Sequence, residues 1–411
     1  MTVSAQLPVT RPRGALPLMF DRMFGGLFWG KMFAVVGVWT HSLVAAVVIH
    51  DATGSALMVG LVGVVQFGPQ LLFSPTSGKW ADTGNPVRQI LLGRFMCAVG
   101  SVSIAVLLLC MPNADSAQIT AAVLAGSLLV GIGFVIGGPA MQSIVPSLIR
   151  DGELPTAMAL NSVPMTFGRM IGPAVGAFMA VQLSPAAAFI TSASLNLVFV
   201  LVLALVKFPA PEKPKSGTDY RVRTALRYAW QDRPLRLALL AVAAVGFASD
   251  PSITLAPSMA ADVGGGTDLV GQLATAFGVG AAVGIAVLAT LGGRVQAARA
   301  ASVGLCLLTV GSGLLVVAST VWLVVVGFFI AGMGFGTAMT CLSTVVQERA
   351  PQELRGRIMA LWIVGFVGSR PLAAALLGGA ADLVSVHAAF VISAAVVAIT
   401  AVVCRPRSLT R

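Results

Sequence analysis

Charge is what this sequence has least of. Only 10% of its residues are Asp, Glu, Lys or Arg, whereas 57% are hydrophobic. A water-soluble domain usually carries about 25% charged residues. No soluble core has room for this much apolar chain, so a soluble globular protein is excluded. Histidine is also scarce: there are three, none at ligand spacing from a cysteine or carboxylate. That argues against a metal centre and leaves no catalytic constellation, so neither an enzyme nor a cofactor is expected. The five cysteines, Cys97, Cys110, Cys306, Cys341 and Cys404, sit singly in apolar runs without a CxxC spacing and read as small helix residues. No phosphate-binding loop of the Walker type occurs, so nucleotide hydrolysis is not the expected energy source. A cleavable leader is not visible: Arg11, Arg13 and Arg22 precede the first long apolar segment, which therefore serves as an anchor.

Long apolar runs are what the chain has instead. A helix needs about 20 apolar residues to cross the hydrocarbon. Such runs predict helices over 24–49, 56–77, 89–111, 120–146, 157–182 and 186–206, then 236–257, 268–291, 299–318, 321–345, 357–379 and 386–404. The 45 glycines suit close helix approach in a bilayer. The expected fold is an all-α membrane protein of twelve transmembrane helices.

The net charge of +11 raises nucleic acid as a partner, but its placement argues otherwise. Of the 26 Lys and Arg, 22 fall in segments on one side of the alternating spans, whereas the opposite loops carry Asp51, Asp115, Asp262, Asp268 and Asp382. This is the positive-inside pattern, and it predicts cytoplasmic N- and C-termini. Ala-, Gly- and Val-rich usage suggests a high-GC bacterium, hence a bacterial plasma membrane.

Segment 207–235 differs in composition. Pro209, Pro211 and Pro214 alternate with Lys207, Lys213 and Lys215, and Arg221, Arg223, Arg227 and Trp230 follow on a basic amphipathic stretch. It reads as a linker plus a surface helix on the cytoplasmic side. It separates an N-terminal six-helix bundle, 1–206, from a C-terminal one, 236–411. The halves echo each other: Ser143, Val145, Glu153, Leu154 and Met158 recur half a chain later as Ser343, Val345, Glu353, Leu354 and Met359, and Arg169 as Arg370. Two pseudo-symmetric bundles are a known transporter design.

Between the second and third spans lie Gly78, Lys79, Ala81, Asp82, Gly84 and Arg88. This loop resembles the signature of the major facilitator superfamily, in which the Asp and basic residues latch the cytoplasmic side. Gly78 is expected to allow helix ends to pack closely, and Asp82 to pair with Arg88 or to cap a neighbouring helix. Basic residues usual after the Asp are thinned here to Asn85, Pro86 and Val87. In the second half, Gly292, Gly293 and Arg294 keep the Gly and a cation but no Asp. The fifth span carries Gly168, Gly172, Pro173 and Gly176, which resemble the Gly-Pro motif of exporters in that superfamily. Glycines four apart make a smooth helix face, and Pro173 bends the helix. Together with the stretch from Gly138 to Asn161 and that from Gln347 to Arg357, these motifs resemble the branch of enterobactin-type siderophore and macrolide exporters. The first span departs from that branch, with Val38 and Trp39 where relatives carry Gly-Asp.

Ionisable residues inside a membrane are costly and therefore functional candidates. Lys31 and Arg94 lie near span ends, where snorkelling is expected. Arg169, Asp250 and Arg370 lie roughly 18–21 Å from the inner ends of their helices. Asp250 is the one acidic residue deep in any predicted span, and Pro251 predicts a break beside it. A carboxylate held out of water is hard to keep ionised, which suits proton exchange; a static pair with Arg370 is the competing role. Arg169 and Arg370 attract an anion if they face the centre. His41 is a candidate proton relay, or a histidine that is merely hydrogen-bonded.

These residues and the resemblance imply a proton-coupled antiporter exporting amphiphilic organic molecules, such as drugs or siderophore-like natural products, by alternating access. The expected partners are a small-molecule substrate, protons and lipid, with no nucleic acid, in a monomer. Uptake, or lysophospholipid flipping, within the same superfamily is the alternative. A membrane-bound sensor is disfavoured, since the longest soluble stretch is the linker.

Overall fold

The computed structural model describes residues 13–150, 152–206, 208, 222–291, 294–351 and 354–410. The spanning helices are α1 Phe24–Thr53, α2 Ala56–Thr83, α3 Pro86–Cys110, α4 Ser116–Ser143, α5 Leu154–Gln182, α6 Pro185–Leu205, α7 Arg233–Ser249, α8 Thr267–Leu291, α9 Ala297–Val316, α10 Val321–Arg349, α11 Arg355–Leu383 and α12 Val386–Val403. Eleven of the described helices are long and apolar enough to cross a membrane by length and composition. Leu154–Gln182, 29 residues long with Pro164 and Pro173 inside it, completes the twelve.

Local chemistry marks where the helices start. Ser55, Asn85, Ser184, Asp232, Thr320 and Ser385 each cap a helix by accepting a backbone N–H three residues on. Asp115 and Gln118 form a reciprocal capping box at α4. Each such cap is worth about 1 kcal/mol. The predicted repeat extends to this detail: Ser184 before α6 and Ser385 before α12 make the same cap in the two halves.

Helices α1–α6 pack with one another and α7–α12 likewise. The halves meet chiefly along α2 against α11 and α5 against α8. Both seams are tight on the face away from the chain termini. There a Cβ at Gly60 would lie 2.2 Å from the Ala374 carbonyl oxygen, one at Gly378 would lie 2.6 Å from that of Ala56, and one at Gly271 would lie 2.3 Å from the Ala177 Cβ. Asp382, at the end of α11, closes the same face. Its carboxylate accepts from the backbone N–H groups of Ala56 at 2.7 Å and Leu57 at 3.0 Å, and from the Ser55 hydroxyl. One half thus caps a helix of the other.

On the terminal face, Arg13 pins the chain start to its own half. Its guanidinium holds Glu153 through Nε–Oε1 and Nη2–Oε2 contacts of 2.8 Å each, and reaches Asp21 at 2.6 Å. Asp21 in turn accepts from the N–H groups of Met23 and Phe24, both at 3.0 Å, at the start of α1. The hydrogen bonds from Arg13 hold the Glu153 carboxyl down at about 2, against burial that pushes it up. A depressed carboxyl stabilises the fold fully above its ordinary value of 4.5, and that contribution is lost as pH falls toward the folded value.

Several expectations about the termini-side loops meet the structure differently. A Cβ at Gly78 would meet nothing within 4 Å, so no close helix packing requires that glycine. Arg88 is exposed, and its backbone N–H is held by Asn85, the cap of α3. The Asp82 side chain, Gly292, Gly293, Glu353 and linker residues 209–221 lie outside the described residues. The amphipathic stretch after the linker is the helix Val222–Gln231, with Trp230 exposed. Lys31 and Arg94 do not snorkel: both are buried. Lys31 Nζ donates to the Asn161 carbonyl at 2.7 Å and side-chain oxygen at 3.0 Å, and Arg94 lies over the Phe134 ring. Both point into the six-helix bundle, where Gly137 leaves room for the Arg94 guanidinium.

Candidate functional site between the two halves

The break in helix seven builds the site. Pro251 cannot donate to the helix ladder, so α7 ends at Ser249 and resumes as the short helices Pro251–Thr254 and Ala256–Asp262. Asp250 is the residue at the break. Its Oδ1 lies 3.3 Å from Arg370 Nε, and its Oδ2 accepts from the Thr254 hydroxyl at 2.6 Å. Asp250 and Arg370 are each 2% exposed. The contact is ionic rather than a well-aligned hydrogen bond, since Arg370 Nε has no acceptor in line.

Arg169 comes to the same place from the other half. It donates to the Ser249 hydroxyl at 3.1 Å, beside Asp250. Aromatic rings hold both guanidinium groups. Arg169 lies 4.2 Å from the centroid of Phe335, 5.3 Å from Phe366 and 5.1 Å from Trp39. Arg370 lies 4.6 Å from Phe67 and 5.0 Å from Trp39. A cation–π contact is worth about 0.5–1 kcal/mol when exposed and about 2 kcal/mol when desolvated. The arrangement is reciprocal: Arg169 of the first half rests on Phe335 and Phe366 of the second, and Arg370 of the second rests on Trp39 and Phe67 of the first. Two cations face one carboxylate, so the cluster carries one uncompensated positive charge.

The glycines of α5 set the distance of Arg169 from α1. A Cβ at Gly168 would lie 2.5 Å from Val35 Cγ1, and one at Gly172 would lie 2.6 Å from Trp39 Cβ and 2.7 Å from the Val36 carbonyl oxygen. Gly176 approaches Thr40 O to 3.0 Å by the same measure. Thr40 donates to the Gly172 carbonyl at 2.8 Å, next to Pro173. The smooth face therefore seats α5 on α1 directly behind the site.

His41 is not brought to this cluster. Two residues beyond Trp39 on a helix is roughly 200° around the axis, so the histidine faces its own bundle. Its ring nitrogens lie 3.0 Å from the Ser101 hydroxyl and 3.1 Å from that of Ser127, and it is fully buried. The residues that sequence reasoning missed are the aromatics. Trp39 drew notice as a departure from relatives, and Phe67, Phe335 and Phe366 drew none. Depth was the available signal: Trp39 lies about 22 Å along α1 from its terminal end, level with the two arginines.

This architecture has counterparts. The transmembrane secretion effector family matches residues 14–410. The enterobactin exporter EntS of Salmonella typhimurium is 26% identical over 368 residues, covering 87% of this chain and 85% of that protein. Among solved structures, a bacterial homologue of the iron transporter ferroportin in an inward-facing state superposes with a TM-score of 0.71 at 16% identity, over 94% of this chain and 98% of the other. A bacterial homologue of the human lysosomal transporter Spinster, inward-facing and unoccupied, gives 0.70 at 14% identity, over 95% and 98%. The relatives are transporters rather than enzymes, and the chain belongs to the transmembrane secretion effector family of the major facilitator superfamily.

Proposed function

We propose that this protein exports an anionic, amphiphilic, siderophore-like molecule from a bacterial cytoplasm in exchange for protons. The observation that carries the reading is the cluster of half-buried Arg169 with buried Asp250 and Arg370, which is short of one negative charge and lies where the halves meet. The enterobactin named for the similar exporters fits that chemistry, being an acidic aromatic compound.

With the termini in the cytoplasm, the closed α2–α11 and α5–α8 seams lie on the outer side. Cargo enters from the cytoplasm and pairs with the guanidinium groups, loosening Asp250 from Arg370. The halves, divided at the linker 207–235, then rock about the site. Outside, cargo leaves first, Asp250 then takes up a proton, and the return step of the emptied carrier carries that proton inward. The protein works as a monomer in lipid.

The test is transport in energised inside-out vesicles holding the purified chain, with enterobactin and a panel of uncharged dyes added in turn. Enterobactin uptake coupled to proton release supports the reading. Movement of the dyes with no movement of enterobactin replaces it with export of hydrophobic drugs. Accumulation only in right-side-out vesicles reverses the direction to uptake.

A further inference from the structure

Trp39 occupies the centre of the cluster, and nothing in the helix packing accounts for its nitrogen. Both guanidinium groups flank its ring, Arg169 at 5.1 Å and Arg370 at 5.0 Å from the centroid, and Phe67 packs on it at 5.8 Å. The side chain is 4% exposed, yet its indole N–H has no acceptor. Arg370 Nε, against the same ring, makes only its 3.3 Å ionic contact with Asp250 Oδ1. Buried tryptophan normally places its N–H on a partner, and native proteins rarely leave buried donors unmatched. A phenylalanine here would supply the same ring to both cations without that cost. Among the described residues Asp250 is the one carboxylate in contact with either arginine. The cluster around Trp39 is therefore short of one negative charge, and the indole N–H of one acceptor, at once.

We infer that Trp39 is a cargo-reading residue: its indole N–H donates to an anionic oxygen of the bound molecule, a phenolate or carboxylate, beside the guanidinium groups of Arg169 and Arg370 that lie against its ring. An anionic oxygen at the indole N–H satisfies that orphaned donor and brings the cluster to neutrality. This rests on the reading of the inter-half cluster as the cargo site. It goes beyond it by assigning recognition to a residue that carries no charge and that departs from the family's pattern.

The variants Trp39→Phe and Trp39→Leu separate the donor from the ring. Binding is measured by isothermal titration of the full chain in lipid nanodiscs, with enterobactin as the anionic probe and its methyl ether, lacking ionisable phenols, as the neutral one. The expected result is that Trp39→Phe weakens enterobactin roughly tenfold and leaves the methyl ether unchanged. Trp39→Leu, which also frees the two cations from their shared ring, weakens both. The wild-type melting temperature is expected in Trp39→Phe, since ring and packing are kept. Unchanged enterobactin affinity in Trp39→Phe overturns the role of Trp39 alone. Wild-type protein that binds neither probe overturns the cargo site itself, and with it the export reading.

Discussion

At the residue scale, the central question is whether Asp250 and Arg370 form a support or a working part. Breaking one member of a buried pair leaves the other charged and unmatched, which typically costs about 3–5 kcal/mol. Asp250→Asn is therefore expected to lower thermal stability in detergent and to abolish proton release on addition of cargo. Replacing both, as Asp250→Asn with Arg370→Gln, removes the unmatched charge and is expected to restore most of the melting temperature without restoring transport. A double variant that transports would reduce the pair to a structural tie. The depth of these residues was legible because hydropathy fixes where a helix crosses, and counting from its end locates a charge. Their aromatic surroundings were not, since Phe335 and Phe366 in an apolar run look like any lipid-facing side chain. The Arg13–Glu153 clamp was equally hidden, because 140 residues separate the partners and each alone is an ordinary loop charge.

At the scale of the element, α5 is the helix whose composition and contacts agree most closely. Its glycines read in sequence as a smooth face, and the structure lays that face on α1 with no space for a side chain at Gly172. Gly172→Val forces α5 away from Val36 and Trp39. Overpacking of this kind costs about 1–3 kcal/mol, and displacing Arg169 is expected to impair cargo binding at least as strongly as stability. Gly78→Ala is the matched control: open space surrounds this position inside α2, so thermal unfolding is expected to show no loss and a gain of about 0.5–1 kcal/mol from helix propensity. Equal losses from both changes would mean that backbone freedom, rather than contact, is what those glycines supply. The break in α7 was legible from Asp250 and Pro251 together. That helix resumes in two short pieces was not, since Pro257 reads equally well as the end of the span.

For the whole molecule, the number of spans was plain from hydropathy, and the two-bundle arrangement from the linker's composition and the internal repeat. The way the halves close was not, because it depends on pairs far apart in the chain. Asp382 and Ser55 are 327 residues apart, yet together they fasten α11 to the start of α2. An aspartate cap is worth about 1 kcal/mol, or roughly a fivefold bias between two conformations. Asp382→Ala is expected to move the population toward the state open on the face away from the termini. Spin-label distances across that face would lengthen, and those across the terminal face would shorten. Unchanged distance distributions would show that the glycine seams alone hold the face closed.

The exchange of arginines between the halves has a bearing on how such a protein can change over generations. Each bundle carries a cation that rests partly on aromatic rings of the opposite bundle, so the two pseudo-symmetric halves are not independent of one another. A hybrid joining residues 1–206 of this chain to the second half of a distant exporter would present Arg169 to a surface without Phe335 and Phe366, while Trp39 and Phe67 would wait for an Arg370 that need not be there. Drift in one half is thereby answerable to the other, and new cargo preferences are more readily reached by paired changes across the seam than by trading whole bundles.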